Sequence, residues 1–256
     1  MHHDFDDFYP QNYYYGHMYS CQRQYSKTLF LSTKKYFIFC AFPAIVPGMS
    51  TQTPDFSLEI ACGAKLVAGV DEAGRGPLCG PVVAAAVIFP RYDIEIPVII
   101  RDSKQMTASM RARAYDWITQ NTIWAVAECS PAEIDELNIL WASMTAMKRA
   151  IDKLSSKPDH CLIDGNRLPR DLVGTAVVRG DAKSLSIAAA SIIAKETRDR
   201  TMRNLSARFP QYGWDKNAGY PTKSHLQAID QYGINEHYRK SFGPIKERIK
   251  NETSHN

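Results

Sequence analysis

Four acidic residues hold the chemistry that this sequence offers. Asp71 and Glu72 follow one apolar run, Asp164 ends another, and Asp181 follows a third and precedes a helix-like segment. In an α/β sheet the C-terminal ends of strands converge on one edge, where ligands bind. Four carboxylates gathered there repel one another, and they stay ionised at neutral pH only with cations among them. Their hard oxygens suit Mg²⁺ or Mn²⁺ rather than zinc. Such a set fits two-metal hydrolysis of a phosphodiester, one ion activating a water and the other stabilising the leaving oxygen. A plainer reading stands beside it: Asp181 as the N-cap of the following helix and Asp164-Gly165 as an ordinary turn.

The elements that must position these acids can be read from periodicity. Apolar runs at 66–70, 82–89, 123–127, 161–165 and 176–178 read as strands, with 71–77 as a turn region. Residues 107–121 read as a helix with Met110, Ala114, Trp117 and Ile118 along one face. Ser130-Pro131-Ala132-Glu133 combines a capping box with proline at the first helical position, and 139–154 continues at helical spacing. An alanine-rich, then basic, helix follows over 186–209, and a short one over 224–231 after the loop 219–222. Strands and helices alternate, so the class is α/β with a sheet covered by helices.

Composition limits the alternatives. The chain has 256 residues, 45% hydrophobic and 23% charged, enough for a sizeable core. That balance excludes a wholly disordered chain, a fibrous repeat and a polytopic membrane protein. The six cysteines form no C-x-x-C pair, which argues against a zinc ribbon or disulfide scaffold and for free thiols in a reducing cytoplasm. The net charge of +4 permits a polyanionic partner without requiring one. Residues 1–64 read as an N-terminal extension. Within it, tyrosine-rich 1–48 has no part in the chemistry, as if read from a misplaced start codon. Its apolar run at 36–46 is well short of the ~20 residues a membrane helix needs. The catalytic domain is expected over 65–250 and a tail over 251–256.

The stretch Val70-Asp71-Glu72-Ala73-Gly74-Arg75-Gly76-Pro77-Leu78-Cys79-Gly80-Pro81-Val82-Val83 resembles the signature of the type 2 ribonuclease H family, bacterial ribonuclease HII. The resemblance recurs in order. It continues through Asp102-Ser103-Lys104, Asp164-Gly165, the block from Gly180-Asp181 to Lys195, Gly219-Tyr220-Pro221-Thr222-Lys223-Ser224-His225 and His237-Tyr238-Arg239-Lys240-Ser241-Phe242. It covers roughly Lys65 to Lys250, and the number, order and spacing of the motifs make it specific.

This resemblance implies a ribonuclease H-like fold: a central mixed five-stranded sheet flanked by helices, with a helical C-terminal part. It implies an endonuclease that cleaves the RNA strand of RNA–DNA hybrids and single ribonucleotides embedded in duplex DNA. Cleavage on the 5′ side of the ribonucleotide would leave a 3′-hydroxyl and a 5′-phosphate. Asp71, Glu72, Asp164 and Asp181 fall on the family's metal-binding acids. Gly74-Arg75-Gly76 falls on a loop that reads the 2′-hydroxyl through main-chain groups, and two flanking glycines do allow close backbone approach. Tyr220 falls on the tyrosine that recognises the next DNA nucleotide. Lys104 and Lys183, in matched motifs, are candidate phosphate contacts.

Other features are less specific. Seven Lys or Arg against three acids between Arg179 and Arg208, and Arg239, Lys240, Lys246, Arg248 and Lys250 beyond, fit either phosphate contacts or solvated helix faces. His225 reads as structural or as an aid near the active edge, and Cys79 as packing. One departure stands out: Asn217-Ala218 occupies the place where many family members carry His-Lys. A different metal-dependent nuclease of the superfamily, such as a junction resolvase, is disfavoured by the Gly-Arg-Gly loop. A binding module without catalysis is disfavoured by the presence of all four acids. The family implies a monomer in the cytoplasm with no membrane partner. The preferred ion and any sliding-clamp contact stay open.

Overall fold

The computed structural model describes residues 53–253; the segment 1–48 and its apolar run lie outside the described residues, as do Cys21 and Cys40. The first element is a short helix, α1 (Ser57–Ala61). Two long strands follow, β1 (Val67–Ala73) and β2 (Val82–Ile88). Then come α2 (Ala108–Asn121), β3 (Ile123–Cys129), α3 (Pro131–Asp152), β4 (His160–Asp164) and β5 (Gly174–Val177). The long α4 (Leu185–Arg208) leads into α5 (Trp214–Asn217), α6 (Lys223–Tyr232) and α7 (Gly243–Thr253).

The strands form one mixed sheet in the order β3-β2-β1-β4-β5. β1, β2 and β3 pair antiparallel, while β1–β4 and β4–β5 pair parallel. This is the expected mixed five-stranded sheet with helices on its faces and at its C-terminal end. Every residue of β2 is buried because helices cover both faces. The two-residue period assigns them: Val82, Ala84, Ala86 and Ile88 pack in the cluster that includes Ala142, Met147 and Ile151 of α3. Ala85 and Val87 pack on the opposite side, with Ala114 and Ile118 of α2 and Ala189 and Ile192 of α4. A further cluster, built from Leu78, Met202, Tyr212, Trp214, Ile229, Tyr238 and Ile245, joins the second half of α4 to the C-terminal helices.

Several local expectations are met in detail. Ser130 Oγ accepts from the Glu133 amide while the Glu133 carboxylate accepts from the Ser130 amide, with Pro131 opening α3. That helix is not continuous, however. Asn138 has φ 63° and ψ 163°, and its Oδ1 accepts from the Leu140 and Trp141 amides, so it caps a second helical segment. Two boundaries also shift. Asp71 and Glu72 belong to β1 itself, paired with Ala85 and Ala84, because the antiparallel ladder with β2 runs on to Ala73. The N-cap of α4 is Ser184, whose Oγ accepts from the Ile187 amide; Asp181 lies in a separate 3-10 turn, Gly180–Ala182.

The sequence reading starts the domain at Lys65, but α1 lies before that point and is tied into it. Glu59 is fully buried, and its Oε1 accepts from Ser184 Oγ at 2.7 Å and the Ser186 amide at 2.8 Å. A carboxylate at the N-terminal end of a long helix is electrostatically favoured. Among the described residues no helix is long and apolar enough to cross a membrane.

The close approach of α4 to β1 positions the site and depends on Gly69. A Cβ there would lie 2.1 Å from the Ser186 carbonyl carbon and 2.3 Å from the Ile187 amide nitrogen, both backbone atoms. Gly69→Ala must push α4 off the sheet. We expect it to destabilise the fold by about 1–3 kcal/mol, or to prevent folding, on the scale of overpacked cores. Urea unfolding checks this, and unchanged stability would contradict the packing described.

Candidate active site

Parallel pairing of β1 with β4 and of β4 with β5 brings three strand ends to one edge. Val70 is in register with Ile163, so Asp71 stands beside Asp164, the last residue of β4. Asp164 is in turn in register with Val177 at the end of β5, from which the chain runs into the 3-10 turn bearing Asp181. Asp164 Oδ1 accepts from the Gly180 amide at 2.7 Å, which ties this turn to the end of β4.

These acids feel one another. Burial holds the Asp71 carboxyl well above its ordinary value of 3.8, and Glu72 and Asp164 add to the rise. Glu72 is also raised by burial, against the pull of Arg75, which makes a 3.2 Å ion pair with it. Asp181 is raised by burial and then by Asp102 and Asp164. Asp102, the acid of the Asp-Ser-Lys motif, thus joins the group; the sequence reading quoted it only as part of that motif.

A hydrogen-bonded relay braces the first acid. Ser191 of α4 donates to the Asp71 carboxylate, and its Oγ lies 2.8 Å from that of buried Ser103, which must therefore be the donor between them. Asp71 Oδ1 also accepts from the Glu72 amide at 2.7 Å. Asp71 and Glu72 are consecutive on a strand, so their side chains leave opposite faces. Glu72 is held by Arg75 and Asp164 by Gly180. Among the described residues no three acid, histidine or cysteine side chains close around one point as an ion's ligands. The donor set nevertheless suits a hard dication: it consists of carboxylate oxygens that burial and mutual repulsion leave short of positive charge.

Beside the acids lies the Gly74-Arg75-Gly76 loop. Arg75 and Gly76 are exposed, and a side chain on Gly76 would touch the Tyr220 ring at 3.3 Å, so loop and tyrosine are neighbours. The Leu78 amide donates to the Gly219 carbonyl at 2.8 Å and links the two segments. Tyr220 is 48% exposed, which leaves its ring available to a ligand. Lys104 is exposed near Asp181, whose charge it offsets, and Lys183 is exposed two residues beyond that acid.

Comparison with known proteins now bears on this arrangement. The sequence profile of the Ribonuclease HII family matches residues 68–243, which include Asp71, Glu72, Asp102, Asp164 and Asp181. The chain belongs to the ribonuclease HII family. The ribonuclease HII of Magnetococcus marinus is 54% identical over 206 residues, spanning 77% of this chain and 95% of that protein. The crystal structure of ribonuclease H2 from Pyrococcus horikoshii superposes with a TM-score of 0.62 at 28% identity, over 75% of this chain and all of that one. Bst-RNase HIII, solved in complex with Mn²⁺, has a TM-score of 0.55 at 18% identity, over 74% of this chain and 70% of that one. As a ribonuclease HII the chain is a ribonuclease H enzyme, an endonuclease of the kind that acts on RNA–DNA hybrids.

Other residues find structural explanations. His225 is fully buried; its Nε2 lies 3.0 Å from the Trp214 indole N–H and 2.9 Å from the Tyr238 hydroxyl, and its Nδ1 lies 2.8 Å from the Tyr220 carbonyl. Because the indole only donates, Nε2 accepts and Nδ1–H donates to Tyr220. Burial lowers the His225 pKa and so favours this neutral form. His225 therefore shapes the tyrosine loop from within. Asn217, in the departing position, does likewise: its Oδ1 accepts from the Gly219 amide and its Nδ2 donates to the Tyr212 carbonyl. Burial raises the Cys79 thiol to about 12, so it is a packing residue rather than a nucleophile. Arg198 and Arg239, counted by sequence among candidate phosphate contacts, are buried and bond only main-chain carbonyls among the described residues.

The raised Asp71 carboxyl has a measurable consequence. A carboxyl whose folded pKa lies above its unfolded value holds its proton more tightly in the folded state. Its stabilising contribution is therefore lost as pH rises from the ordinary value of 3.8 through the folded pKa. Asp71→Asn removes that loss. In chelator-treated protein, unfolding measured from about pH 4 to 8 should show wild type losing stability relative to Asp71→Asn as pH rises. Parallel profiles would contradict the raised carboxyl.

Proposed function

We propose that this ribonuclease HII cleaves the RNA strand of RNA–DNA hybrids and also single ribonucleotides embedded in duplex DNA, by two-metal hydrolysis that leaves a 3′-hydroxyl and a 5′-phosphate. The observation that carries the reading is the juxtaposition of the acids at the ends of β1 and β4, Asp71 among them buried, with the exposed Arg75 and Gly76 of the Gly74-Arg75-Gly76 loop and with Tyr220. A cutting site and a sugar-reading site then lie side by side, so recognition of one ribonucleotide fixes which phosphodiester reaches the acids.

In this reading Asp71, Glu72, Asp164 and Asp181 hold Mg²⁺ or Mn²⁺. Bound there, divalent ions supply the positive charge that activates water and stabilises the leaving oxygen. Ser103 and Ser191 hold Asp71 in place. The Arg75 ion pair on Glu72 and the Gly180 amide on Asp164 are the contacts with which such ions would compete. The amides of residues 74–76 donate to the ribose 2′-hydroxyl, the group that distinguishes RNA from DNA. Tyr220 packs its ring on the sugar of the next deoxynucleotide. Exposed Lys104 and Lys183 hold the backbone phosphates, so affinity falls as salt rises. We place this activity in the cytoplasm, in a monomer whose domain takes in α7 to Thr253, past the residue 250 at which the sequence reading ends it.

The deciding assay is cleavage of a duplex bearing one ribonucleotide, with and without divalent metal. Asp71→Asn should reduce turnover by more than the ~100-fold that loss of a supporting hydrogen bond can cost, while hybrid binding stays intact. Near-normal turnover would remove Asp71 from the site. Tyr220→Ala should impair cleavage at a lone ribonucleotide more than cleavage of a long hybrid, by about 1–3 kcal/mol of transition-state stabilisation, taking an aromatic contact with a base as the scale for one with a sugar. Equal losses on both substrates would argue against a junction-reading tyrosine.

A further inference from the structure

Two arginines lie in the interior without an ion-pair partner within reach among the described residues. Arg239 is 0% exposed and Arg198 is 2% exposed. Burying a guanidinium is costly unless its donors are satisfied. Here they are satisfied by carbonyls of two short segments. Arg239 donates from Nη2 to Gly74 O at 2.6 Å and Pro81 O at 3.2 Å, from Nη1 to Arg75 O at 2.9 Å, and from Nε to Gly80 O at 3.0 Å. Arg198 donates from Nε to Pro81 O at 3.1 Å, from Nη2 to Cys79 O at 3.2 Å, and from Nη1 to Ala218 O at 3.1 Å. Gly74, at φ +96°, rests on Arg198 so closely that a Cβ would lie 2.1 Å from its Nε.

The consequence falls on the loop's other polar groups. The carbonyls of Gly74 and Arg75 are drawn to the buried guanidinium. Among the described residues, the amides of Gly74, Arg75 and Gly76 donate to none. A loop whose acceptors are engaged inside and whose donors stay free beside exposed Arg75 and Gly76 is prepared for an acceptor from outside. Arg198 reaches the carbonyl of Ala218 as well, two residues before Tyr220, so the same clamp spans both recognition segments. Two adjacent like charges, each in the field of the other, are a poor choice for filling a core. A rigid planar fork that binds several carbonyls at once is what the loop needs, and lysine cannot reproduce it.

We propose that Arg198 and Arg239 are positioning residues that fix the 74–76 and 218–220 segments in one arrangement and thereby set recognition of the ribonucleotide. This rests on the reading above, in which those segments contact the ribose and its neighbour. The test compares the full chain with Arg239→Lys and Arg198→Lys, which keep the charge and lose the fork. Turnover is measured on a long hybrid and on a duplex with one ribonucleotide, well below each variant's melting temperature. A merely structural role would lower the melting temperature and leave the folded enzyme's kinetics unchanged. The clamp predicts a fall in kcat of about 10- to 100-fold, larger on the lone ribonucleotide, with KM little changed, because misplacement by roughly 1 Å costs that much. In parallel, ¹⁵N relaxation of the wild type should give amides 74–76 order parameters near ~0.85, those of rigid backbone. Wild-type values below ~0.6 would overturn the clamp even if the variants failed to fold. Active wild type with kinetically unaffected, folded variants overturns the clamp alone. Wild type inactive on both substrates overturns the reading beneath it as well.

Discussion

Like charge held together at a sheet edge is the constraint on which this molecule turns. Asp71 and Asp164 stand on neighbouring parallel strands, and Glu72 and Asp181 are close enough for their charges to be felt. Burial denies Asp71 the water that would solvate its charge, so the fold carries an electrostatic cost where the acids gather. Rigid surroundings sustain that cost. β1 is locked between β2 and β4, and α4 lies against it over Gly69 with no side chain between. The serine relay from Ser103 through Ser191 then holds the acid from the helix side.

The same helix serves two purposes along its length. Its N-terminal half packs on the sheet and supplies Ser191. Its C-terminal half contributes Arg198 and Met202 to the region where the 74–81 segment meets the C-terminal helices. The serine that braces Asp71 and the arginine that binds the carbonyls of residues 79, 81 and 218 thus sit on one helix. At its start, Ser184 and the buried Glu59 fasten α1 to the helix immediately after Asp181 and Lys183.

The 74–76 and 217–220 segments are fixed from inside outward. His225, Asn217, Arg198 and Arg239 are all satisfied by internal partners, and each of them shapes a main-chain segment whose exposed side meets solvent. Buried polar networks of this kind trade stability for a fixed geometry.

The sequence by itself determined the class, most of the elements and the family. Period-two runs such as 82–88, the capping box at Ser130 and the ordered motifs from Asp71 to Phe242 are local signals, and local signals survive without a structure. Tertiary structure alone decided the rest. Asp71 and Glu72 extend the strand instead of turning after it, because β2 offers them ladder partners. Ser184 rather than Asp181 caps α4, because the strand end and the Gly180 amide hold the aspartate's segment elsewhere. Asn138 interrupts α3, although its neighbours keep helical spacing. Arg198 and Arg239 look like any surface cations in a basic stretch. Only long-range contacts, 117 to 165 residues apart in the chain, turn them into buried forks for loop carbonyls. Periodicity reports which face of an element is apolar; it says nothing about which distant carbonyl a side chain will find.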